Sequence, residues 1–327
     1  MGRLAPDPQL AHLRARIDAA ALAISTHVSE TPLQRSERWS EGAGASIFFK
    51  LENLAPTGSF KVRGAFAKLL SLQPEALHRG VVAASTGNHG AAVACALSKL
   101  GATGLIFVPK GASKAKVERI RSFGGEVRFV GAESGETERL ARAYAEERSL
   151  SYISPYNDWD VVAGQGTIGR EIAASLPNVD IVVASLGGGG LIGGIGAYLK
   201  SARPQTRVVA ASPRNSAAMI ASLRAGRIVE VDHLPTLSDG TAGGIEPGAI
   251  TFDLCATVVD ECVLVDENEI AANMERFAAS EDMVIEGAAG VALAALGHIR
   301  AADATVAVVI CGGNIDLQKD VVEPGRT

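Results

Sequence analysis

Short apolar, β-rich runs alternate with helix-length segments along almost the whole chain, and that alternation restricts the fold more than any other feature. Ile47–Leu51, Gly80–Ala84, Gly104–Val108, Glu126–Val130, Asp180–Ser185, Arg207–Ala211 and Thr305–Ile310 read as strands. Ala91–Leu100, Lys114–Phe123, Glu136–Glu147, Gly166–Ser175, Glu267–Ser280 and Ala288–Arg300 read as helices. Buried strands separated by helices of this length form parallel sheets covered on both faces. Three successive strand–helix units fall within residues 80–156, and a further group follows Val161. The expected class is α/β, with two doubly wound open parallel-sheet domains and a cleft between them. Residues 1–79 and 157–327 would form the larger domain and residues 80–156 the smaller one.

With 327 residues the chain is long enough for two cores. Apolar residues at 47% and charged residues at 20% exclude a disordered chain. A net charge of −5 argues against a nucleic-acid partner. Cys95, Cys255, Cys262 and Cys311 include no CxxC pair, which argues against a zinc site or a disulfide framework. No apolar run is long enough to cross a bilayer. The segment Met1–Ala20 is amphipathic, with Arg3, Arg14, Arg16 and Asp18, and lacks the apolar stretch of a signal peptide. The expectation is a cytoplasmic, reduced protein with neither nucleic acid nor membrane as partner.

Four segments carry chemistry. In Pro56-Thr57-Gly58-Ser59-Phe60-Lys61-Val62-Arg63-Gly64, Lys61 reads either as a solvated lysine at a helix start or as an amine held in a dry pocket, where desolvation frees its lone pair. Ser85-Thr86-Gly87-Asn88-His89 follows a strand; it reads as a helix cap or as a clamp for a carboxylate at a helix N-terminus. His89 by itself reads equally well as a structural histidine. Gly187-Gly188-Gly189-Gly190, followed by Leu191, lies between a strand and a helix; four glycines are costly to order, and their amides suit a phosphate. Gly188, Gly190 and Gly193 also match GxGxxG, but the next strand ends in Ser212-Pro213-Arg214, without the acid that holds a nicotinamide-dinucleotide ribose. The fourth segment places Cys311 at a strand end before Gly312-Gly313-Asn314, where it either packs or faces a ligand.

In this order the four segments resemble the fold-type II pyridoxal-phosphate enzymes, the group of threonine and serine dehydratases (ammonia-lyases) and serine racemase. The likeness runs from Thr31-Pro32-Leu33 to Asn314 and takes in Ala163-Gly164-Gln165-Gly166-Thr167, Asp239-Gly240 and Ile285-Glu286-Gly287. It implies a fold like that of the tryptophan synthase β-subunit, with pyridoxal 5'-phosphate in the cleft. It also implies a small amino-acid substrate and assembly as a homodimer or higher homo-oligomer.

The resemblance assigns roles. Lys61 carries the cofactor as a Schiff base and then takes the α-proton as general base. Phe60 packs on the pyridine ring, Asn88 bonds its phenolic oxygen, and Cys311 faces its nitrogen. Gly187, Gly188, Gly189, Gly190 and the Leu191 amide hold the phosphate, with Gly240 and Glu286 also at the cofactor. Ser85, Thr86, Asn88 and His89 grip the substrate. The implied reaction removes water and then ammonia from a small β-hydroxy amino acid such as L-threonine or L-serine, leaving a 2-keto acid. The stretch Ser238–Gly248 further resembles the dehydratase of hydroxyectoine breakdown, and 3-hydroxyaspartate also fits the motifs.

Three positions depart from parts of the group. Cys311 stands where many members have serine; a neutral thiol leaves the ring nitrogen largely unprotonated and favours elimination over racemisation. Thr86 stands where serine racemase has its second acid/base serine, and its added methyl weighs against racemisation. Ser212 and Ala218 replace the carboxylates of metal-dependent relatives, so no bound metal is expected, and Arg214 reads as a substitute charge or a plain surface arginine. A nicotinamide-dependent oxidoreductase leaves Lys61 unexplained. A non-catalytic cofactor carrier is disfavoured by the intact loop Ser85–His89.

Overall fold

The computed structural model describes residues 8–315. In chain order the elements are α1 (Pro8–Ile24), β1 (Leu33–Arg35), α2 (Glu37–Ala43), β2 (Ser46–Leu51), α3 (Lys61–Ser71), α4 (Pro74–Arg79), β3 (Val81–Ala84), α5 (Asn88–Leu100), β4 (Gly104–Val108), α6 (Lys114–Ser122), β5 (Glu126–Phe129) and α7 (Ser134–Glu147). There follow β6 (Ser151–Tyr152), α8 (Trp159–Ser175), β7 (Ile181–Ser185), α9 (Gly190–Ala202), β8 (Arg207–Pro213), α10 (Ala218–Ala225), α11 (Ile250–Val258), β9 (Glu261–Val265), α12 (Glu267–Glu281), α13 (Gly287–Ala294) and β10 (Thr305–Ile310).

The strands form two sheets, one ordered β1-β2-β10-β7-β8-β9 and the other β5-β4-β3-β6. Every pairing is parallel except β1 with β2, so the expected parallel sheet carries one antiparallel edge strand. Side-chain alternation explains how helices cover both faces of the smaller sheet. Val81, Ala83, Ile106 and Val108 join the buried cluster under α5 and α6. Val82 and Phe107 point the other way, against Ala141 and Ala145 of α7. In the larger sheet, β7 and β10 are almost wholly buried; α13 packs on both, and α9 packs on β7.

Where helices meet, glycine lets their backbones touch. A Cβ on Gly164 would lie 2.6 Å from the Arg63 carbonyl, and one on Gly194 2.5 Å from that of Val162. These contacts bind α8 to α3 and α9, and they explain why α8 begins at Trp159 rather than at Gly166. Asp158 caps it, accepting bonds from the amides of Asp160 and Val161. The helix expected over Ala288–Arg300 instead stops at Ala294 and tightens into a 3₁₀ turn over Ala295–His298. Of the amphipathic N-terminal segment, α1 buries Leu10, Leu13 and Ile17; Arg3 lies outside the described residues. No helix among the described residues is long and apolar enough to cross a membrane.

Beneath α3 lies a buried ionic network. Arg63 Nε and Nη2 donate to the two oxygens of Glu52 at 2.7 and 2.9 Å, while Nη1 and Nη2 reach Glu171. Lys50 Nζ meets Glu171 and the Thr31 carbonyl, each at 2.5 Å. Burial opposes the charge on Arg63, but the two carboxylates outweigh it and push its pKa up. Two cations thus face two anions without water, and the balance holds only while each partner is present. Arg63→Met should therefore lower unfolding free energy by about 3–5 kcal/mol, read from the shift of a denaturant transition. A loss under about 1 kcal/mol, within the range of an exposed ion pair, would show that the network does not hold α3 in place.

Candidate active site

Parallel sheets present ligands at the carboxyl ends of their strands, and four such ends converge here. β2 leads through a 3₁₀ turn to Thr57–Lys61, β3 to Ser85–His89, β7 to Gly187–Gly190, and β10 to Cys311–Asn314. The first and last are joined directly. Ser59 and Gly312 form an isolated bridge, Phe60 N donates to the Cys311 carbonyl at 3.0 Å, and Gly313 N donates to the Gly58 carbonyl at 3.0 Å. This join sets Lys61, the first residue of α3, beside Cys311.

Lys61 is half-buried. Its Nζ donates to the Pro155 carbonyl at 2.9 Å and lies 5.1 Å from the centre of the Phe60 ring. Desolvation lowers its pKa to about 8, against the opposing pull of Cys311 and Glu286. An amine so placed is a better nucleophile and base near neutral pH than a solvated lysine.

Facing it is a chain of polar groups. Glu286 is buried, and burial raises its pKa, although Asn88 donates to its two oxygens at 3.0 and 2.8 Å. Asn88 Oδ1 accepts from Asn314 Nδ2 at 2.6 Å, and the same Nδ2 lies 2.9 Å from the Thr57 carbonyl. Cys311 Sγ lies 3.8 Å from Glu286 Oε1 and accepts from Ser185 Oγ at 3.6 Å. Burial keeps that thiol protonated, with a pKa well above the ordinary thiol range. Gly240 lies close by: a Cβ there would stand 3.6 Å from Glu286 Oε1.

The glycine loop is shaped by its surroundings. Gly189 caps α9 with φ at 87°, a region that favours glycine. Cβ atoms on Gly187, Gly188 and Gly189 would come within 2.9 Å of Thr241, 2.4 Å of the Tyr156 ring and 2.8 Å of Cys255 Sγ. The first amides of α9, including those of Gly190 and Leu191, precede the first intrahelical bond, from Gly193 N to the Gly189 carbonyl. They are free to meet an anion.

The carboxylate-clamp loop divides in two. Ser85, Thr86, Gly87 and Asn88 are half-buried, and Ser85 Oγ accepts from the Gly87 amide at 3.1 Å. His89 lies deeper in the fold. It is buried, with Nε2 2.9 Å from the Ile153 carbonyl. A carbonyl only accepts, so Nε2 carries the proton, and burial lowers the ring's pKa to about 3. This neutral histidine ties the start of α5 to the segment after β6. Arg214 is the plain surface arginine of the two readings: it is exposed and donates to Asp266 at 2.6 Å. Ser212 is buried and donates to the Leu186 carbonyl at 2.6 Å.

The sequence had not singled out Ser185, Pro155, Tyr156 or Arg119. Tyr156 covers the glycine loop, and its hydroxyl accepts from the Glu246 amide at 3.0 Å. A polar strand end at Ser185 was the one legible signal among them.

A direct test of the lysine's environment follows. Reductive labelling of the cofactor-free protein by a small aldehyde should modify Lys61, with a rate that rises with pH and levels off above about 8. The sign follows from the lowered pKa: the amine is neutral above it and protonated below. A rate still climbing towards the ordinary lysine value of about 10.4 would show that the amine is solvated.

Comparison with known proteins agrees with this arrangement. The family model described as pyridoxal-phosphate dependent enzyme matches residues 24–312. An L-threonine ammonia-lyase of Thermotoga maritima is 41% identical over 318 residues, 95% of this chain and 79% of that protein. A catabolic L-threonine dehydratase of Escherichia coli is 39% identical over 302 residues, 90% of this chain and 91% of that one. The processed form of threonine deaminase isoform 2 from Solanum lycopersicum superposes with a TM-score of 0.91 at 29% identity, over 98% of this chain and 92% of that one. With the family model spanning most of its length around Lys61 and the glycine loop, the chain belongs to the pyridoxal-phosphate dependent enzymes.

Proposed function

We propose that this enzyme is a threonine ammonia-lyase, converting L-threonine to a 2-keto acid and ammonia. The observation that carries the reading is the Lys61 amine, its pKa lowered to about 8, beside Cys311 and Glu286, in a fold whose glycine loop opens a helix with free amides. The threonine-specific relatives, near 40% identical over most of the chain, support the choice of substrate.

The residues fit the cofactor. The glycine loop leaves no room for Cβ atoms and offers free amides at a helix N-terminus, which suits a phosphate. Lys61 is the neighbouring amine, Phe60 the apolar wall, and Cys311 with Glu286 the polar rim. When bound, pyridoxal phosphate supplies the electron sink for charge left on the α-carbon.

The protein's own groups do the rest. Lys61 Nζ takes the α-proton once substrate has displaced it; a pKa near neutrality makes both its protonated and neutral forms available in one cycle. The Ser85–Asn88 loop, Thr86 included, holds the substrate carboxylate. Cys311, buried and with its pKa raised, would offer a bound ring a partner without countercharge, which would favour loss of the β-hydroxyl over return of the proton.

Two measurements test the proposal. Lys61→Ala should retain the fold and lose keto-acid formation by several orders of magnitude, because one residue is both anchor and base. Keeping more than a small fraction of the wild-type rate would refute the assignment. A screen of L-threonine, L-serine and threo-3-hydroxyaspartate should give the highest kcat/KM with threonine; a preference for either other compound would replace the substrate while leaving the chemistry in place. Turnover should also be unchanged by chelation and by added magnesium or calcium, because Ser212 and Ala218 bring no carboxylate to the position where divalent cations need them. A severalfold rise with either ion would contradict this.

A further inference from the structure

Arg119, on α6, is used by none of the roles above. Its Nη2 donates to the Thr57 carbonyl at 2.9 Å, the carbonyl that also accepts from Asn314 Nδ2. From there the bonds run without a break: Asn314 to Asn88, and Asn88 to both oxygens of Glu286. Along α6, Lys116 pairs with Asp239 and Arg121 with Glu118. Arg119, by contrast, enters no ion pair among the described residues, and its Nε is buried without an acceptor. A guanidinium partly withdrawn from water and left without a carboxylate at contact distance is unfavourable unless something offsets it. The carboxylate its charge acts on is Glu286.

Gly58 makes room for this arrangement. Its φ is 68°, and a Cβ there would lie 2.4 Å from Asn314 Oδ1 and 3.1 Å from Arg119 Nη2. The turn before Lys61 is thus shaped to admit both donors to one carbonyl.

We infer that Arg119 is a positioning residue for the reaction: through the Thr57 carbonyl and Asn314 it fixes the orientation of Asn88, and it brings its positive charge to bear on Glu286. This rests on the reading that Asn88 and Glu286 border the cofactor. The charged and titratable groups that act on Glu286 are Lys61 on α3, Cys311 after β10 and Arg119 on α6; Asn88 and Asn314 supply neutral donors. Burial raises the carboxylate's pKa and Lys61 lowers it. An added positive charge favours the ionised form, so removing Arg119 must raise that pKa further. Protonation then reaches Glu286 at a higher pH, and the acid limb of any profile governed by it moves upward.

The test uses cofactor-loaded enzyme and three substitutions. Arg119→Met removes charge and donor, Arg119→Gln removes the charge but can still donate to Thr57, and Arg119→Lys retains the charge with one compact donor. Two readouts are needed: kcat and KM for threonine against pH, and the pH titration of the Lys61-bound cofactor absorbance without substrate. Arg119→Met should lower kcat roughly tenfold to a hundredfold, as expected when reacting groups are misplaced by about an ångström, with KM changed less than about threefold. Both the acid limb and the absorbance titration should move up in pH. Arg119→Gln should show the same pH shift with a smaller loss of kcat, and Arg119→Lys should return the limb to its wild-type position. If Arg119→Met does not fold, Arg119→Gln and Arg119→Lys carry the comparison. An unmoved limb and titration in Arg119→Gln would overturn the inference, as would equal losses in Arg119→Gln, Arg119→Lys and the neighbouring control Arg121→Met. Failure of the underlying cofactor reading has a different signature: an absorbance band that survives Lys61→Ala.

Discussion

The buried pairing of Arg63 with Glu52 and Glu171 is the constraint on which the site depends. Arg63 lies one turn into the helix that begins at Lys61, and its guanidinium is shared between the turn after β2 and the middle of α8. Lys50 closes the charge balance from β2 itself. Coulomb attraction in a dry interior is strong, but so is the desolvation it must offset, and a net-neutral cluster in which each charge has both ionic and hydrogen-bonding partners is the arrangement that survives both. Its value lies in geometry more than in stability. Three elements are locked to one rigid fork, so the amine at the start of α3 has little freedom to move relative to the sheet.

Around that fixed lysine, loops from both sheets come together because each leaves a strand at its carboxyl end. The glycine loop and Cys311 come from neighbouring strands of the larger sheet, and Asn88 comes from the smaller one. Asn88 meets Glu286 of the larger-sheet side, while Lys61 reaches the Pro155 carbonyl just after β6. The contacts run in both directions across the cleft. Ion pairs repeat the pattern further out, from Lys116 to Asp239 and from Arg142 to Glu246. A displacement between the two sheets would therefore disturb the amine's surroundings and the carboxylate's partners together.

Much of this was legible in the sequence, for reasons that also mark its boundary. Buried parallel strands such as β7 and β10 are continuous apolar runs, and glycine clusters advertise themselves; both follow from local composition. β1, β6 and β9 are short or lie at or near a sheet edge, and their residues are too few or too mixed to show a period. The helix read from Gly166 left Gly164 before its start, but both are interior helix positions in close contact with α3 and α9, a tertiary demand that overrides propensity. His89 shows the same limit at the level of a side chain: its bond to the Ile153 carbonyl could not be read from its motif position. Arg119 gave no local signal at all, because its significance lies in a carbonyl more than sixty residues away in sequence.

The thiol at the end of β10 and the reactive amine at the start of α3 belong to one electrostatic solution. Burial raises the Cys311 pKa, and Cys311 and Glu286 both work against the desolvation that lowers that of the amine. A carboxylate in place of that thiol would add a second negative charge within a poorly solvated site. It would stabilise protonated Lys61, lift its pKa back towards that of an ordinary lysine and withdraw the neutral amine that the proton abstraction needs. Ser185 donates to the sulfur without adding charge, which keeps the thiol in place and leaves that balance untouched. The depressed amine pKa is therefore not a property of Lys61 alone: desolvation by its surroundings lowers it, Cys311 and Glu286 oppose that lowering, and a carboxylate at 311 would oppose it further.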